Sequence, residues 1–387
     1  MFLLRQGSRN QMNSNSQGGK FQYNIMKLLN IDIPHFDTVN KFLKRLGTYF
    51  LEQTKRKMLQ IIISRKVLSK FRLLGKYYIV SVDGVNIYTS DTKPYENCPF
   101  RIFNKDKKVY FVNVLEAKLV CSNGFSLSIG SEWLRNKGEY DKQDCEKKAF
   151  TRLVKKLKRD YPKLPICFVT DGLFVGEPNI KLCNKLDFRY IFTLQDGSIP
   201  DMHQDFDFRK RAEKSKHTKI KHFATKNEIY YLEYFFSNDI HYRKNDIDMF
   251  QVLETVCSKK SGKITNKKFL YVTDIDVEHK NIEELVRAGR MRWKIENEGF
   301  NTQKNLGYSL KHKFSRNDFA AMQNYYQCMQ IAHIIEQLLV KSELGKNIIG
   351  KKALIWVWDV ISAFIKIGVL DIEDITNELN IKKQYIY

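Results

Sequence analysis

Tyr77-Tyr78-Ile79-Val80-Ser81-Val82-Asp83-Gly84 decides the fold. Aromatic and β-branched residues run together as they do in a strand, and the run stops at an acidic residue beside glycine. Ile166-Cys167-Phe168-Val169-Thr170-Asp171-Gly172 repeats the arrangement, a short apolar strand followed by Asp-Gly. Between the two, Tyr110 to Ala117 and Phe125 to Ile129 are predicted to form a hairpin turned at Ser122-Asn123-Gly124, because Asn-Gly tolerates positive φ. A helix capped near Asp144 follows, with Ala149, Phe150, Leu153, Val154 and Leu157 on its apolar side. Strand, hairpin, helix, strand is the start of a mixed α/β sheet rather than an all-parallel one. If the Tyr77 and Ile166 strands are parallel neighbours, Asp83 and Asp171 emerge at one edge of the sheet, where α/β ligand sites form. Taken singly, each Asp-Gly reads as an ordinary turn; two in matching positions ask for another explanation.

Outward from this centre, Met1 to about Gly19 is polar and aperiodic, and is expected to be poorly ordered. Phe21 to Leu74 reads as helical. Thr38 or Asp37 caps a helix carrying Val39, Phe42, Leu43 and Leu46, and a second helix runs through Leu51, Met58, Ile61, Ile62 and Val67, with Lys55 on a basic polar face. A short helix and strand around Asn179 to Leu194 complete the sheet. Gln195 to Tyr271 reads as β-rich with exposed basic loops, including Arg209-Lys210-Arg211. A long helix is expected from Asp276, burying Ile282, Leu285, Val286 and Trp293 and carrying Arg292 and Glu296; Phe319 to Leu339 and Ala353 to Ile367 are apolar helices with Trp356 and Trp358 against the core. The expected organisation is a basic helical region over 1–75 suited to DNA contact, a catalytic domain over 76–194 and 273–345, a β-rich insertion over 195–272, and a C-terminal helical region over 346–387.

The 387 residues carry 66 Lys and Arg against 43 Asp and Glu, a formal net charge of +23. That excess costs self-repulsion and points to a polyanionic partner. No unbroken apolar run approaches the roughly 18 residues of a membrane span and no signal-peptide layout is seen, so nucleic acid is the expected partner, with no membrane, in the cytoplasm. The seven cysteines are scattered without a C-x-x-C pair, and are read as free thiols in a reducing compartment.

Asp83, Asp171 and Glu296 stand out as two strand-end carboxylates and one helix carboxylate. Mg²⁺ and Mn²⁺ prefer carboxylate and water oxygens. Three carboxylates around two such ions can activate a water or a 3′-hydroxyl and stabilise the leaving oxygen of an in-line displacement at phosphorus. Glu298 is a second candidate for the third acid; it lies about 200° around an α-helix from Glu296, so only one of them can face the aspartates. An Arg292/Glu296 pair at i,i+4 is by itself no more than a surface salt bridge.

Val80-Ser81-Val82-Asp83-Gly84, Phe168-Val169-Thr170-Asp171-Gly172 and above all Arg292-Trp293-Lys294-Ile295-Glu296 resemble the DDE transposases of bacterial insertion sequences, in the group whose ribonuclease H-like domain is interrupted by a β-strand insertion. The resemblance covers about Tyr77 to Gln337. It implies a ribonuclease H-like mixed sheet, a metal-binding catalytic triad of Asp83, Asp171 and Glu296, Mg²⁺ or Mn²⁺ as two ions, and Arg292 on a DNA phosphate. It also implies cut-and-paste transposition on double-stranded DNA, both terminal inverted repeats and target, by a homodimer assembled on the ends. The family signature places a tyrosine three before the arginine and a lysine seven after the glutamate; here those positions hold Gly289 and Gln303, and Lys304, one further on, is the candidate for the second phosphate contact. A DNA-binding relic that no longer cuts, and a ribonuclease H-like nuclease without a joining step, are the alternatives.

Overall fold

β1 does not stop at Asp83-Gly84. It runs from Tyr78 to Ser90, because Val85, Ile87 and Tyr88 beyond the acid are buried apolar residues that extend the strand. The computed structural model describes residues 1–103, 107–136 and 143–371. It is a mixed α/β protein with a ten-stranded mixed sheet and helical N- and C-terminal regions.

In chain order the elements begin with α1 (Arg9–Ser16), α2 (Gly19–Leu29), α3 (Phe36–Arg45) and α4 (Thr48–Ser64). Next come β1, β2 (Phe100–Phe103), β3 (Lys107–Val120), β4 (Ser126–Trp133), α5 (Glu146–Asp160), β5 (Ile166–Thr170), α6 (Glu177–Lys185) and β6 (Arg189–Thr193). α7 (Pro200–His217) leads into β7 (Thr218–Ala224), β8 (Glu228–Tyr242), β9 (Asn245–Ser258) and β10 (Ile264–Thr273). The chain continues through α8 (Ile282–Arg290), α9 (Thr302–Asn305), α10 (Phe319–Lys341), α11 (Glu343–Ile349) and α12 (Leu354–Ile367). These fall into two units. One comprises Met1–Lys55, Ile87–Glu96 and Asn301–Tyr387, the other Arg56–Asn86 and Asn97–Phe300. The last part of the expected C-terminal helical region, 372–387, lies outside the described residues.

The second unit holds the sheet, in the order β2-β3-β1-β5-β6-β10-β9-β8-β7, with β4 also paired to β3. β1 and β5 are parallel neighbours, with Ser81 opposite Val169, and β5 is parallel to β6. The remaining pairs from β6 outward are antiparallel, so β7 to β10 extend the sheet as an antiparallel meander rather than forming one of their own. Helices cover both faces of the parallel centre, as its apolar strands require. Ile282, Leu285, Val286 and Ala288 of α8 pack with Ile79, Cys167, Val169 and Ile191 on one face. On the other, the Phe150 ring of α5 meets Phe168 of β5 at 5.8 Å between centroids.

The first unit overturns the expectation of a disordered lead-in. Ser8 caps α1 by accepting from the Gln11 N–H, and Met12 is buried with Phe21, Ile25, Phe36 and Ile365 in a core of their own. Other expectations also need correction. α3 is capped by His35, not Thr38 or Asp37, and Cys145 rather than Asp144 precedes α5. Asp144 is instead spent on the Arg152 guanidinium at 2.7 Å and on the Arg135 N–H at 2.8 Å. Lys55 is not on a solvated face but 1% exposed. The basic run Arg209 to Lys216 is the second half of α7, not a loop. Trp293 and Trp356 are 53% and 49% exposed rather than packed in a core. Of the seven cysteines, all free, four are buried and Cys145 is exposed. Among the described residues no helix is long and apolar enough to cross a membrane.

Candidate active site

Continuing the β1–β5 register places Asp83 level with Asp171, on parallel strands about 4.8 Å apart. Both follow alternate residues that face α8, so both carboxylates belong to that side of the sheet. Asp171 does the turn work expected of Asp-Gly, whereas Asp83 sits inside the continuous strand β1. One Asp83 oxygen accepts from the Gly84 N–H at 2.9 Å, and one Asp171 oxygen accepts from the Leu173 N–H at 3.0 Å.

The expected long helix is broken where it reaches these acids. α8 ends at Arg290, a 3₁₀ turn covers Met291–Trp293, and a π-helix covers Ile295–Asn301. Wide turns of this kind recur at functional sites because they re-aim side chains without ending the helix. The Ser81 hydroxyl, on the same face of β1 as Asp83, donates to the Arg292 carbonyl at 3.0 Å and ties the 3₁₀ turn to the strand. Arg292 lies over the Trp293 ring at 4.2 Å.

Electrostatics show that the groups converge. Burial pushes the Asp83 carboxyl up to about 6; the Gly84 N–H pulls it down, Asp171 and Glu296 push it up, and Arg292 pulls it down. Asp171, Glu296 and Arg292 therefore all act on Asp83. Glu298 turns away. Its Oε1 pairs with Lys294 at 2.7 Å, so Glu296 is the acid of this helix that faces the aspartates.

A fourth carboxylate, absent from the sequence reading, joins them. Glu146, in the first turn of α5, is pushed up to about 6 by burial first and then by Asp83 and Asp171. Its carboxylate lies so close to Gly84 that a Cβ there would stand 2.2 Å from Oε1, which explains the glycine by close approach rather than by a turn conformation. The sequence signal was only an acid in a helix's first turn, which serves the helix dipole in any protein.

Asp83 and Glu146 have raised values, so their contribution to stability is fully present below the unfolded values of 3.8 and 4.5 and is lost as pH rises through about 6. Asp83→Asn removes one such group. Its expected result is about 1–2 kcal/mol greater stability at pH 8 and a shallower fall between pH 4 and 6, discounted for partial exposure, as read by denaturant unfolding across that range.

The donor set is all carboxylate oxygen, the chemistry that hard divalent cations take. A cation would offset the burial that chiefly raises Asp83 and the smaller repulsion from Asp171 and Glu296. Among the described residues no three His, Cys, Asp or Glu side chains stand together as a finished metal site.

The outer signature positions differ. A Cβ on Gly289 would lie 2.5 Å from the Tyr271 ring, which fills the space a side chain there would need. Gly289→Tyr is therefore expected to destabilise the protein by about 1–3 kcal/mol, measured by thermal unfolding, through overpacking against that ring. Gln303 is fully buried, with its amide Nε2 at 2.8 Å from Gln330 Oε1 and 3.0 Å from His333 Nδ1. Lys304 follows it on α9, half-buried, in the first unit.

No known protein-family profile matches the chain, and no curated protein matches it. Among solved structures, one that matches is the crystal structure of a S-adenosylmethionine-dependent methyltransferase from Clostridium acetobutylicum, with 10% identity over 38% of this chain and a TM-score of 0.14. The matched region spans 61% of that protein's length, and so low a TM-score carries no argument about this one.

Proposed function

We propose that this protein is a DNA transposase of the DDE class, cutting phosphodiester bonds at transposon ends and joining the freed ends to target DNA. One observation carries the reading: Asp171, just past the end of β5, and Glu296, on the broken helix, both act on the Asp83 carboxyl of the neighbouring parallel strand β1. The strand order and helix-covered parallel centre support a ribonuclease H-like domain extended by β7–β10. The net charge of +23 supports a polyanion, double-stranded DNA, as partner.

Asp83, Asp171 and Glu296 would hold Mg²⁺ or Mn²⁺, as two ions, supplying an activated oxygen nucleophile and charge neutralisation at phosphorus. Glu146 borders the same negative field and packs closely on Gly84, beside Asp83 on β1. Arg292, half-exposed beside the acids, offers a planar guanidinium to a phosphate oxygen, and Lys304 is the candidate for a second phosphate.

The buried amide at Gln303 and the ring that fills the Gly289 space favour a second reading, a DNA-binding relic that recognises ends but no longer cuts. Labelled duplexes carrying the sequences that flank this coding region, incubated with the protein and Mg²⁺, separate the two. Nicked and joined products support transposition; nicking without joining favours a nuclease, and binding without nicking favours a relic that only recognises ends.

A further inference from the structure

A cleft of about 420 Å³ opens in the first unit between the start of α1, the middle of α3 and the segment that leads into α10. Its wall carries Arg9, Lys44, His312, Lys313 and Arg316, and none of the residues lining it is acidic. We propose that this cleft binds a phosphate group, and that a nucleic-acid strand supplies it.

The charge is concentrated and poorly compensated. Arg9 meets Asp37 at 3.2 Å, but that aspartate is 60% exposed and outside the lining, where screening weakens it. Asp318, just past the lining segment, spends its carboxylate on capping α10 through the Ala321 N–H. Lys313 lies over the Tyr88 ring at 5.3 Å, an attraction that leaves the ammonium's charge in place. Without a bound anion, the four cations Arg9, Lys44, Lys313 and Arg316 around one small volume repel one another.

A donor inside the cleft points the same way. Ser315 is 5% exposed, lines the cleft, and has a buried hydroxyl with no hydrogen-bond partner. An unmade bond of this kind is costly unless a ligand supplies the acceptor. Its backbone sits in the left-handed region at φ +53°, a conformation that serine adopts at a cost. The neighbouring imidazole reports on the field. His312 is held below its ordinary value, first by burial and then by Arg316 and Arg9, with the Phe314 ring edge-on at 4.4 Å. A bound phosphate adds negative charge beside it and reverses that shift.

None of these residues belongs to the carboxylate centre, so the proposal stands whether or not that centre cuts DNA. The test uses the full chain with isotope-labelled histidine and follows the His312 resonances by NMR during titration with three probes: inorganic phosphate, a 5′-phosphorylated short oligodeoxynucleotide, and the same oligonucleotide with a 5′-hydroxyl. At least one probe should shift His312 and raise its pH midpoint. Equal response to both oligonucleotides assigns a backbone phosphodiester; response to the 5′-phosphorylated one alone assigns a strand terminus. Response to inorganic phosphate alone overturns the nucleic-acid source. Arg316→Gln should weaken binding about tenfold or more and Ser315→Ala about fivefold. The proposal fails if no probe moves His312, or if folded Ser315→Ala and Arg316→Gln bind as wild type does. Should Arg316→Gln not fold, the wild-type titration and Ser315→Ala decide.

Discussion

Asp83→Asn is expected to lower DNA cleavage by about a thousandfold or more while leaving DNA binding within about twofold of wild type. Asparagine keeps the side-chain oxygen that accepts the Gly84 N–H, so β1 and its register with β5 persist. What it loses is the negative oxygen pair at the centre of the carboxylate field, and with it the means of holding a divalent cation. Asp171→Asn and Glu296→Gln should behave alike, because both act on the same centre. Glu298→Gln, two residues from Glu296, should retain most cleavage, since its carboxylate is engaged by Lys294 at 2.7 Å. Gel-shift binding beside a cleavage assay on one labelled duplex measures both quantities.

Glu336→Ala should lower stability by about 3–5 kcal/mol, the largest single effect expected away from the carboxylate centre. Glu336 is 4% exposed and pairs with Arg5, 6% exposed, at 2.7 Å. The Tyr308 hydroxyl donates to its other oxygen, and burial holds that phenol protonated. Arg5 also lies over the Tyr308 and Trp358 rings at 5.6 and 5.1 Å. Removing the carboxylate strands a buried guanidinium and a buried hydroxyl together. An Arg5→Met/Glu336→Met double substitution should recover much of the loss, because replacing both charges with packed apolar groups avoids the unpaired ion. Denaturant unfolding of the two variants checks both statements.

What the sequence disclosed follows the range of the forces involved. The Ile166–Thr170 strand appeared with its own boundaries because a wholly apolar run ending in Asp-Gly is a local signal. Its parallel pairing with the Tyr78 strand followed from two local signals of matching form. α10 and α12 were equally legible from their apolar content. So were α3 and α4, within the helical Phe21 to Leu74 stretch; α1 was not, because its buried residue, Met12, packs against partners farther along the chain. Phe21 and Ile25 share that core with Ile365, whose carbonyl accepts from Asn24, 341 residues away.

At the carboxylate centre the same division holds. Asp83, Asp171 and Glu296 could be named from strand ends and a short motif. Glu146 could not, since only the packing of α5 on the sheet brings it against Gly84. The 3₁₀ and π turns that replaced a straight helix were also hidden, and they leave Trp293 exposed instead of buried beside Ile282 and Leu285. Gly289 was a departure from a signature in the sequence; in the structure it is the place where the Tyr271 ring packs.

The central claim is that Asp83, Asp171 and Glu296 act as one unit on a phosphodiester. Cleavage rates on a single labelled duplex, for Asp83→Asn, Glu296→Gln and the variant carrying both, test it most directly. Groups that act together lose their effect together, so the account predicts that the double variant cuts no more slowly than either single one. Losses that multiply in the double variant, or cutting by either single variant at the wild-type rate, would contradict it.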